Sequence, residues 1–100
     1  MPFYEVIVSP QEPDEPAFLF INAGVGVLLS AIRFLRLRAE NGEIPGVSSV
    51  EVYDEVTISG VMLQELLVHL STRHRRLVLD ESSTQRISEA EQYRVYLSEV

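Results

Sequence analysis

The chain has 100 residues, 46% of them apolar and 23% charged, which is enough for one folded core without a metal or disulfide staple and excludes disorder of the whole chain. It contains no cysteine, so disulfide scaffolds, thiolate metal sites and cysteine nucleophiles are excluded together. The net charge is −7 and all eight basic residues are arginine, which argues against phosphate-backbone binding, removes Schiff-base and Walker-type lysine chemistry, and leaves any cationic function to planar guanidinium groups.

Residues 3–9 alternate Tyr4, Val6 and Val8 against Phe3, Glu5 and Ile7, which predicts a central strand packed on both faces. The same stretch lacks the basic and apolar regions of a secretion signal, so a cytoplasmic location is expected. Pro10, Pro13 and Pro16 cannot propagate a helix or a central strand, and with Glu12, Asp14 and Glu15 between them they predict an exposed acidic loop. Residues 17–32 form the longest uncharged run, but its sixteen residues fall short of the roughly twenty needed to span a bilayer and include two glycines and Asn22. A short strand or extended lead-in over 17–21 followed by a helix over 24–41 fits better, with Gly42 as a left-handed cap and Pro45 as a stop. On a helical wheel the apolar side chains of this helix occupy most of the circumference. One sheet cannot cover such a helix, so a second partner is expected, with a second copy of the chain favoured over another helix.

Residues 50–59 alternate again, with Val50, Val52, Val56 and Ile58 on one face, which predicts a half-buried strand. Asp54 breaks the pattern at an inward position. A bulge or tight turn at 53–55 that splits the segment is the structural explanation, and a functional carboxylate is the chemical one. Gly60 opens a second helix with Leu63, Leu66, Leu67 and Leu70 as its stripe. A strand over 76–80 and a polar connection over 81–92 follow. At the C-terminus Tyr93, Val95 and Leu97 alternate as in a strand, which their aromatic and β-branched content favours, while the Ser88/Glu91 capping box and the spacing of Ala90, Tyr93, Leu97 and Val100 would suit a helix. The expected fold is α+β: one mixed sheet of about four strands packed by two helices, in the order β-α-β-α-β-β.

The chemical constellations are sparse. Gly24-Val25-Gly26 stands where a dinucleotide fingerprint would, but Leu29 occupies the third glycine position, and small residues for close helix packing are the alternative. His69 and His74 are five residues apart, about 140° around a helix, which is not the zinc-binding spacing. Arg73, Arg75 and Arg76 surround His74 and would either offset a helix C-terminus or grip an anion. Ser30, Ser59, Ser71, Ser82 and Ser83 lie in no nucleophile pattern. No cofactor, metal, nucleic-acid or membrane partner is expected.

The leading expectation is a small acidic, non-enzymatic interaction protein that binds or inhibits a basic protein, as toxin-neutralising proteins do. Its contact surface would draw on Glu12, Asp14, Glu15, Glu51, Asp54 and Glu55. One alternative is a small-ligand enzyme or sensor with a pocket near Asn22, Gly24, Asp54 and His74. Another is a structural subunit of a homo-oligomer, built on the broad apolar helix.

Overall fold

The computed structural model describes residues 4–12, 15–75, 77, 87 and 91–99. Strand β1 (Tyr4–Pro10) is followed by β2 (Leu19–Ala23), helix α1 (Val25–Glu40), β3 (Glu55–Ser59), helix α2 (Gly60–Arg73) and β4 (Gln92–Glu99). The four strands form one sheet in the order β2-β1-β4-β3. Its class is the expected α+β, with two helices on one four-stranded sheet.

All three pairings are antiparallel, where a mixed sheet was expected. The cause lies in where the chain leaves and re-enters the sheet. Gly60 N, one residue beyond β3, donates to Glu91 O, one residue before β4, so the chain returns to the end it left and β4 runs against β3. The expected lead-in over 17–21 overlaps β2, which runs Leu19–Ala23 and pairs with β1 through residues such as Ile21 with Val6. Apart from Leu77, which packs against the core, the expected strand over 76–80 lies outside the described residues, as does most of the connection over 81–92, of which Ile87 is buried in the core.

Strand β1 is interior, as its pattern predicts, but only one of its faces is covered. Both helices pack on the face that carries Val6 and Val8 of β1, Leu19 and Ile21 of β2, Val56 and Ile58 of β3, and Tyr93, Val95 and Leu97 of β4. No described element packs over the opposite face. Within the chain, α2 and the 41–54 connection, through Ile44 and Val50, join α1 in the core, while Val25, Leu29 and Leu37 of α1 stay exposed. Each fully buried leucine, such as Leu35 or Leu66, contributes roughly 2 kcal/mol by leaving water.

The ends of α1 follow the predicted signals. Gly42 lies at φ +76°, Gly42 N donates to Ala39 O, and Glu43 N donates to Arg38 O, so the last carbonyls are satisfied by a Schellman motif. Helix α2 is capped by Ser59, whose Oγ accepts from Met62 N at 3.1 Å. The helices run antiparallel, and the C-terminal end of α2 lies against the first turns of α1. No helix among the described residues is long and apolar enough to cross a membrane.

Candidate functional site

Two surfaces stand apart from the core: the open face of the sheet and the groove between the helices. The register decides the first. Phe20, Ile7, Tyr96 and Glu55 form one row across β2, β1, β4 and β3, all on the face away from the helices. Phe20 is 58% exposed, and Ile7 and Tyr96 are half-buried by their neighbours. Asn22, Glu5 and Ser98 form the next row, and Arg94 pairs with Thr57 on the other side. Arg94 Nε donates to Pro10 O at 3.0 Å and so is partly committed to the backbone.

Next to Glu55 the chain turns sharply. Asp54 N donates to Glu51 O at 3.1 Å and Asp54 Oδ2 accepts from Glu51 N at 2.8 Å, so the backbone and side chain of Asp54 together close the four-residue turn 51–54. Tyr53 sits inside it at φ +74°, the left-handed region that non-glycine residues avoid, and its side chain is 58% exposed. Thus Asp54 interrupts the alternation because it closes a turn, and β3 begins only at Glu55. Glu51 also pairs with Arg36, whose Nε donates to Val50 O.

The interhelical groove is cationic in an acidic chain. A cavity of about 420 Å³ is lined by Ser30, Arg33, Phe34, Leu37, Arg38 and Asn41 of α1 and its C-cap, and by His69 and Arg73 of α2. Arg38 bridges the helices: its guanidinium reaches Glu65 and Glu43, each at 3.1 Å, and stands over the Phe34 ring at 5.0 Å. The His69 ring lies 5.4 Å from the same phenyl. Burial, the Arg73 guanidinium and His74, in that order, lower the His69 pKa below the usual 6.5. At the open end of the groove Ser30 Oγ and His74 Nε2 are hydrogen-bonded at 2.8 Å; the hydroxyl donates when Nε2 is unprotonated and accepts otherwise.

The acidic candidates divide between the ends of the sheet. Glu51, Asp54 and Glu55 gather at the start of β3, whereas Glu12 and Glu15 are exposed near the end of β1, where Gln11 N donates to Gln92 O. Asp14 lies outside the described residues. Of the arginine trio, Arg73 lines the groove, Arg75 is exposed beyond the helix end, and Arg76 lies outside the described residues. Asn22 and His74 lie on opposite sides of the sheet, so the four residues suggested for a small-ligand pocket do not converge. Gly24 is the N-cap of α1, and a β-carbon at Gly26 would meet His74 Cε1 at 3.7 Å, an ordinary contact, so close packing does not demand either glycine. Neither the Phe20–Ile7–Tyr96 row nor the presence of Arg33 and Arg73 in one groove follows from chain order. Pair register and helix contact create them.

No family model matches the chain, and no curated protein or solved structure shows detectable similarity to it.

Proposed function

We propose that this protein is a non-enzymatic binding module that docks a basic protein partner onto the open face of its sheet and inhibits that partner by masking it. The observation that carries the reading is the apolar row of Phe20, Ile7 and Tyr96 on a face no described element covers, ending at Glu55. An aromatic anchor within an acidic surround suits a partner that brings an apolar knob ringed by Lys or Arg.

Charge is distributed to match. Glu5 and Glu55 lie on the face, Glu51, Asp54 and the exposed Tyr53 on the adjoining turn, and Glu12, Glu15 and Glu91 at the far end of the sheet. Arg94 is the only cation of the described strands. The left-handed Tyr53 adds support, since backbone strain of this sort persists where the surroundings enforce it and concentrates at functional positions.

The test is affinity capture by the full chain, with Phe20→Ser and the Glu5→Gln/Glu55→Gln pair beside it. The expected result is one basic protein retained by the wild type, lost with Phe20→Ser by roughly 30-fold in affinity, and released by salt with the acidic pair weakened in parallel. Retention indifferent to Phe20→Ser and to salt, or a retained protein that is acidic, overturns the reading. So does light scattering in which Phe20→Ser converts a dimer to a monomer, because the face would then be occupied by a second copy.

A further inference from the structure

The interhelical groove lies on the layer opposite the sheet face and carries chemistry that partner docking does not use. Arg33 and Arg73 come from facing helices and line the same cavity, yet neither has an ion-pair partner among the described residues. By contrast Arg36 and Arg38 are both held by carboxylates. The groove wall between them is apolar: Phe34 is almost fully buried beneath it and Leu37 is 57% exposed.

We propose that this groove binds a small monocarboxylate with an apolar or aromatic body, the carboxylate held between Arg33 and Arg73 and the body lying along Phe34 and Leu37. Guanidinium groups match a carboxylate with paired N–H donors, and two of them brought together without counter-charges repel until an anion joins them. The cavity of about 420 Å³ falls in the range of roughly 300–1,000 Å³ typical of small-molecule sites, and its lining combines the apolar Phe34 and Leu37 with a majority of polar and cationic groups. Those polar groups are of the required sort. Ser30 offers its hydroxyl, fixed by the hydrogen bond to His74, and Asn41 offers an amide.

Two features select a monocarboxylate over a phosphate. Arg73 belongs to the last turn of α2, where the helix dipole presents partial negative charge and disfavours a multiply charged anion. The cavity is lined by side chains from the body and C-terminal half of α1 rather than by a helix N-terminus or glycine-rich loop that would supply backbone amides. The apolar wall would be wasted on an inorganic ion.

His69 is a built-in reporter. The groups around it are Arg73, His74 and Glu65 on its own helix and Arg33 and Arg38 on α1. A bound carboxylate offsets the positive charge that suppresses its protonation, so binding takes up a proton and strengthens as pH falls toward the His69 pKa.

The experiment follows the His69 and His74 side-chain NMR signals of the full chain during titration with phenylacetate, its neutral amide phenylacetamide, and inorganic phosphate. Expected are saturable His69 shifts with phenylacetate, a raised His69 pKa in its presence, and binding about tenfold weaker for phosphate and phenylacetamide. Arg33→Gln and Arg73→Gln should each weaken phenylacetate by about tenfold while Arg75→Gln, outside the groove, has little effect. Arg33 and Arg73 are exposed, so these variants keep the wild-type thermal midpoint. Absence of saturable shifts up to about 10 mM phenylacetate, an equal response to phosphate or phenylacetamide, or equal weakening by Arg75→Gln overturns the assignment.

Discussion

Gly26 shows how little of a residue's meaning lies in its type. It sits in the first turn of α1 beside His74, in the company of Gly24, and in sequence the pair suggests either phosphate binding or close packing. The structure does not require close packing at this position, since a methyl group at Gly26 finds an ordinary 3.7 Å contact with His74 Cε1. Its backbone is helical, so glycine contributes only unfolded-state entropy that folding must overcome. Gly26→Ala is therefore expected to raise stability by about 1 kcal/mol in chemical denaturation. An unchanged or lower midpoint would mean that this turn of α1 needs more room than its neighbours indicate. Asp54 is the complementary case. Its place in an alternating run suggested a buried carboxylate, and the alternation fails there because the side chain accepts a hydrogen bond from Glu51 N and closes a turn.

The helices form the level at which sequence legibility divides. The limits of α1 were readable because Gly42 and Pro45 are local stop signals, and the face of α2 was readable because Leu63, Leu66, Leu67 and Leu70 recur at helical spacing. What the two helices make together was not readable. Ser30 and His74 are 44 residues apart in the chain, and Arg33 and Arg73 line one cavity only because α2 packs on α1 in one particular way. The same packing sets a pH dependence. Since folding lowers the His69 pKa, the unfolded chain takes up a proton first as pH falls below about 6.5, and the native state loses stability down through the folded-state value. Acidification from pH 7.5 to 5.5 should lower the urea midpoint of the wild type more than that of His69→Asn. Parallel slopes would remove His69 as the cause.

At the scale of the whole molecule, charge and cooperativity follow from one arrangement. Five of the six described arginines lie on or beside the helices, and the strands retain only Arg94, so the molecule has a cationic groove on one side and an acidic sheet face on the other. Between them, β4 pairs with both β1 and β3 while its inner face carries Tyr93, Val95 and Leu97 into the core. Leu97→Ala should cost about 3 kcal/mol, with helical circular dichroism and tyrosine fluorescence falling in a single shared transition. Separated transitions would show that the β1–β2 hairpin or the helix pair persists without its central strand. The position of β4 has a further cost during synthesis. Until residues 92–99 leave the ribosome, β1 and β3 have no common neighbour, and each offers an unpaired edge lined with valine and isoleucine. A nascent chain stalled before Gln92 is therefore expected to be far more prone to aggregate than one that has completed β4.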